Sequence, residues 1–212
     1  MRQNGRRNAH RRRNRQEFEY PTNIKQIGQI EDGMRIYMED YVHTYLARLA
    51  NDKGKTEKLG ALIGRHTKAN GQQILVISGA IAASDTVFVD GNLGFSLKSW
   101  DKITEEAEKY FPGLSVVGWV HTQPGYGAFL MARDEVYHRE NFPSEHQVLY
   151  VLDPTENMDA FFMYENDKKA WATSAWKKDF ELHWGRHAVN AIRVLHEYIT
   201  NTEYLCSLNE NE

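Results

Sequence analysis

The chain has 212 residues, 41% of them hydrophobic and 26% charged, which fits one domain with tails and excludes wholesale disorder or a fibrous repeat. No apolar run reaches ~18 residues, so no membrane span is expected, and no N-terminal apolar stretch offers a secretion signal. The single cysteine, Cys206, excludes an internal disulfide or a cysteine zinc site, and a reducing cytoplasmic location is the expectation.

The net charge of −3 conceals an asymmetry. Residues 1–15 carry seven arginines and no acid, while the remainder has 19 basic against 29 acidic residues. The arm reads as disordered, and such a segment binds nucleic acid or an acidic surface by counterion release. No aromatic residue is interleaved to stack on bases, which favours a solubilising or expression-related tail.

In chain order, Met34, Tyr37, Met38, Tyr41, Val42, Tyr45, Leu46 and Leu49 follow helical spacing, which predicts a helix over 34–49 with Asp32 upstream as a cap. A polar turn at 51–56 leads to a buried strand over 59–64. Asn70-Gly71 predicts a hairpin, followed by the apolar run 73–83 and a short strand at 86–89. Residues 97–110 predict a helix with Trp100, Ile103, Ala107 and Tyr110 on one face, ended by Pro112-Gly113. A strand buried on both faces is expected over 114–121, then a loop, a short helix over 134–141, a strand over 147–153 and a pairing strand over 160–164. Residues 171–184 carry Trp171, Trp176 and Trp184 and fit no element clearly. A final helix is expected over 186–200, with Ala188, Ile192, Leu195 and Ile199 as its stripe. This order predicts an α+β domain, a mixed β-sheet with helices packed on it.

A histidine ending a buried strand and followed by a Pro-Gly-Tyr-Gly loop stands where sites are commonly built. Here it is His121, with Asp134 thirteen residues on at a helix start. Taken alone, the pair is two possible metal ligands or a structural hydrogen bond.

The wider segment resembles the JAB/MPN domain family, the zinc isopeptidases that carry the JAMM motif. Gly118-Trp119, His121, Pro124, Gly125, Tyr126, Gly127, Asp134 and Asp153-Pro154 fall in register with that pattern, and Glu57 precedes Gly60 and Gly64 as the family's upstream glutamate does. The resemblance covers about residues 34–165 and implies a mixed, partly barrel-like β-sheet flanked by helices. It divides the chain into a basic arm (1–20), an MPN/JAB-like domain (30–170) and a C-terminal strand/helix extension packed on it (171–205).

In the family, two histidines, an aspartate and a water hold zinc, the glutamate shuttles protons and a serine assists the oxyanion. The resemblance implies metal roles for His121 and Asp134 and an acid/base role for Glu57. It also exposes two departures, because Gln123 stands at the second histidine and Met131 at the serine. A neutral amide is a poor zinc ligand beside an imidazole, and losing one oxyanion donor typically costs ~100-fold in rate. His138, four residues after Asp134 on the same helix face, is a possible replacement ligand. His146 has no better claim, and His183 and His187, separated by Gly185, lack an acid partner.

The leading expectation is therefore a non-catalytic scaffold or protein-binding module, with zinc absent or weakly bound. Its partner would be another MPN domain, a second copy or a different protein. The alternatives are an active zinc isopeptidase or peptidase with an altered site, and nucleic-acid binding through the arginine arm. Trp171 and Trp176 offer a partner patch or core packing.

Overall fold

The computed structural model describes residues 18–26, 34–51, 56–89, 92–144, 146–163 and 191–194. The arginine arm, the Asp32 cap, most of the 51–56 turn, Trp171, Trp176, Trp184, His183, His187 and Cys206 lie outside the described residues.

The fold is α+β. Its centre is an eight-stranded mixed sheet that curls into a half-barrel. In chain order the elements are β1 (Ile24–Gln26), β2 (Arg35–Glu39), α1 (Asp40–Ala50), β3 (Lys58–Ala69), β4 (Gln72–Ala82), β5 (Thr86–Val89), β6 (Asn92–Phe95), α2 (Leu97–Tyr110), β7 (Ser115–Thr122), α3 (Ala132–Asn141), β8 (Val148–Asp153), β9 (Met158–Met163) and β10 (Ala191–Val194). The sheet order is β1-β10-β2-β4-β3-β7-β8-β9, and β5 and β6 form a separate two-stranded ribbon. Among the described residues, no helix is long and apolar enough to cross a membrane.

The β3–β4 hairpin turns at Asn70-Gly71, both at positive φ, as the dipeptide predicts. The helix expected over 97–110 is α2, capped by Ser96, whose side chain accepts from the Ser99 N–H. Two expectations are corrected. The helix over 34–49 begins only at Asp40, because Arg35–Glu39 is a strand pairing parallel with β4. Its Ile36 and Met38 enter one core while Tyr37 packs on the other face beside Ile74. In so short a stretch an alternating pattern and a helical one coincide, and the sheet pairing decides. Of the helix expected over 186–200, only 191–194 are described, and they form a strand that pairs antiparallel with β1 and parallel with β2. The extension thus contributes to the sheet itself.

The two faces of the sheet carry separate cores. Val42, Leu46 and Ala50 of α1 pack with Ile36, Leu62, Leu75 and Tyr150. On the other face Ile103 of α2 packs with Ala61, Ile63, Trp119 and Phe142. Trp119 is fully buried, consistent with a strand covered on both faces. Gly118 beside it permits this packing, since a Cβ there would lie 2.0 Å from the Val148 carbonyl oxygen. The central strands β3 and β7 are thereby held rigidly, and the candidate site sits at one end of them.

Candidate functional site

The antiparallel pairing of β3 with β7 sets Leu59 opposite His121 and Lys58 opposite Thr122. Glu57, one residue before β3, is then a diagonal neighbour of His121 although 64 residues away in sequence. The Lys58 N–H donates to Thr122 Oγ1 at 2.9 Å and fixes this corner. His121 is wholly buried. Its Nε2 lies 3.5 Å from Glu57 Oε2, and its Nδ1 lies 3.0 Å from Asp134 Oδ1. Neither contact has hydrogen-bond geometry, so both are ion-pair contacts of a buried imidazole.

Asp134 stands in the first turn of α3 and divides its carboxylate. One oxygen faces His121, and the other accepts the Met131 N–H at 3.1 Å, which caps the helix. Met131 thus contributes its backbone to Asp134. Arg133, the residue before Asp134, donates from Nη2 to Glu57 Oε1. Arg133, Glu57, His121 and Asp134 form one chain of alternating groups. Burial opposes the charged form of His121, but Asp134 and then Glu57 outweigh it and hold the imidazole above its ordinary range. Glu57 is held below the usual carboxylate range, first by His121, against partial burial, and then by Arg133.

Gln123 is also fully buried. Its amide nitrogen donates to the carbonyls of Gly127 and Phe129, each at 2.7 Å, so it staples the loop that leads into α3. The same loop is held from β8. Burial works against ionisation of Asp153, but four N–H donors outweigh it and keep its pKa below the usual range. They are Gly125 (2.9 Å), Gly127 (2.5 Å), Thr155 (2.8 Å) and Glu156 (3.3 Å). Gly125 and Gly127 have φ near +80°, a region unfavourable to side chains, which turns their N–H groups toward Asp153. At the tip of this restrained loop Tyr126 is 61% exposed.

His138 lies elsewhere. Its Nδ1 accepts from Trp119 Nε1 at 2.9 Å, and its ring stacks on Phe142, so it lies in the α3–sheet interface. Burial pushes its pKa down to about 4. His146 sits beside His66, with ring centroids 5.5 Å apart, away from His121. The structure therefore brings together Glu57, His121 and Asp134, and adds Arg133, which the sequence reading missed. The signal for Arg133 was its adjacency to Asp134, but its partner depends on the β3–β7 register.

Among the described residues, no group of three or more His, Cys, Asp or Glu side chains is placed to hold a metal ion. In comparison with known proteins, no family model and no curated protein matches the chain.

Proposed function

We propose that the chain is a JAB/MPN-like domain without metal chemistry, acting as a protein-binding module. The motif agreement around His121 supports the family reading, and the half-barrel α+β fold is compatible with it. The observation that carries the loss of chemistry is the Arg133–Glu57 ion pair beside a Gln123 whose amide nitrogen is held by the loop.

The residues do not fit zinc. His121 and Asp134 are two strong donors, whereas catalytic zinc sites use three protein ligands. The third position offers a neutral amide oxygen. Arg133 brings a guanidinium to the carboxylate that would serve as acid and base, and so repels a divalent cation. With a proton on His121, the cluster balances its own charge.

What remains functional is a rigid platform. The loop carrying Tyr126 is held by Gln123 and Asp153, so docking a partner on it costs little ordering entropy. Exposed tyrosine is a common anchor of protein interfaces.

Elemental analysis after zinc loading and desalting tests this reading. The natural chain is expected to retain almost no zinc, and a Gln123→His, Arg133→Ala double variant about one per chain. About one zinc in the natural chain, or metal-dependent cleavage of an isopeptide-linked substrate, overturns it. The convergence of Glu57, His121 and Asp134 favours a second reading, an active zinc hydrolase with an altered site. That reading requires Asp134→Ala to abolish such cleavage.

A further inference from the structure

Charge is spread unevenly along this chain, and the fold gathers two basic stretches in one place. Residues 58–84, which hold β3, β4 and the turn between them, contain Lys58, Arg65 and Lys68 and no acid. Residues 1–16, with seven arginines, also contain no acid. Outside these two stretches the chain has 16 Lys and Arg against 29 Asp and Glu. An acidic body of this kind repels polyanions except where its cations are concentrated.

The β3–β4 hairpin projects from the sheet. Pairing of β3 with β7 ends at Gly64 and Ser115, and pairing of β4 with β2 begins only at Ile74. Among the described residues, 65–69 therefore pair with β4 alone, and 70–73 close the tip. Arg65 and Lys68 are exposed on this ribbon, and neither has an ion-pair partner among the described residues. Three residues apart on one strand, they lie on opposite faces of it.

The arginine arm enters the fold at the same tip. Phe18 and Ala69 both pack on the cluster of Tyr37 and Ile74, and the Tyr20 hydroxyl donates to the Ala69 carbonyl at 3.4 Å. Arg15 precedes Phe18 by three residues, so the arm arginines are tethered beside the two cations of the tip and reach a high effective concentration there.

We propose that the arm and the hairpin tip together bind a nucleic-acid duplex through its phosphates. No Phe, Tyr or Trp stands among the arm arginines or in residues 65–73, so unpaired bases find no ring to stack on there. A two-stranded ribbon fits the major groove of B-form DNA, and a cation on each face meets the backbones on either side. The arm extends the contact along the backbone and adds to the release of counter-ions. Phosphates are the chemistry that duplex DNA shares with duplex RNA, whose major groove side chains cannot enter.

The test is fluorescence anisotropy of labelled DNA and RNA duplexes of about 20 base pairs, and of a single strand of equal length, titrated with the full chain between about 50 and 200 mM salt. Phosphatidylserine vesicles serve as a second polyanion. Saturable, salt-sensitive binding of duplex is expected. An Arg65→Gln, Lys68→Gln double variant, exposed at both positions, should weaken it about tenfold and lower the slope of log affinity against log salt by about 2, one for each lost phosphate contact. Glutamine at the seven arm arginines should weaken it roughly a hundredfold or more. Lys98→Gln, Lys102→Gln removes the same charge from α2, where Lys98 faces Asp85 beyond the far end of β4, and should change affinity less than about twofold. Whichever duplex binds tighter names the source of the phosphates, and either supports the proposal. Absence of saturable binding at the lowest salt, preference for the single strand or the vesicles, full affinity in the Arg65/Lys68 variant, or an equal loss in the Lys98/Lys102 variant overturns it.

Discussion

The two ends of the central strands handle charge in opposite ways. At the His121 end, Arg133, Glu57, His121 and Asp134 touch one another in series, and the adjoining loop is tied to Asp153. At the Glu39 end, aromatic rings with Glu19, Glu39 and Arg65 line a cavity of about 450 Å³. Groups that satisfy each other hold structure and have little left for a ligand, whereas a cavity leaves room for one. A cluster of catalytic-type residues is thus a poor guide to activity unless its charge remains available.

The largest expected effect is at Asp153. Asp153→Ala removes an acceptor shared by four backbone donors and should cost roughly 3 kcal/mol or more, read as a lower denaturant midpoint. A loss below about 1 kcal/mol would mean the loop is not tied down as described. Next is a pH effect at His138. Folded, it stays neutral down to about 4, whereas an unfolded histidine takes its proton near 6.5. Its contribution is therefore complete above pH 6.5 and declines as the pH falls toward 4, by about 3 kcal/mol in total. Urea unfolding at pH 7.5, 5.5 and 4.5 should show this slope, and His138→Gln should flatten it. Asp134→Asn should then cost about 2 kcal/mol by removing the nearer of the two carboxylates that pair with buried His121, measured at neutral pH. An unchanged midpoint would remove the case for a closed charge cluster. The smallest effect on stability, within about 0.5 kcal/mol, is expected for Tyr126→Ser. The same substitution should weaken partner binding about tenfold or more if the loop is the docking platform. A partner bound equally well by both forms would move the interface elsewhere.

Much of the fold is readable where several local signals agree. The helix at 97–110 has an apolar stripe and a Pro-Gly stop, and the structure forms it with those bounds and adds a cap at Ser96. Asn70-Gly71 similarly marks the hairpin. The misreadings fall where a strand is too short for period to discriminate. Arg35–Glu39 sits directly before a true helix and borrows its pattern, and Ala191–Val194 is four residues whose pairing partners lie far back in the chain. The site shows the same division. His121 and Asp134 are visible as types at the end of a strand and the start of a helix. The role of Arg133 exists only once β3 and β7 are aligned, and the aromatic cavity is assembled from segments dispersed between residues 18 and 114. Gln123 reads in sequence as a missing ligand, whereas in the fold it is a staple for the loop.

The place of β10 bears on how this protein can be handled. Its strand lies between β1 and β2, and β1 joins the sheet through it. Shortening the chain ahead of residue 191 would detach β1 and uncover the Ile36–Met38 backbone as an open, apolar edge. Such an edge recruits strands from neighbouring molecules. Expression of a C-terminally trimmed version should therefore yield self-associating material, and an affinity handle is better placed beyond β10 than substituted for it.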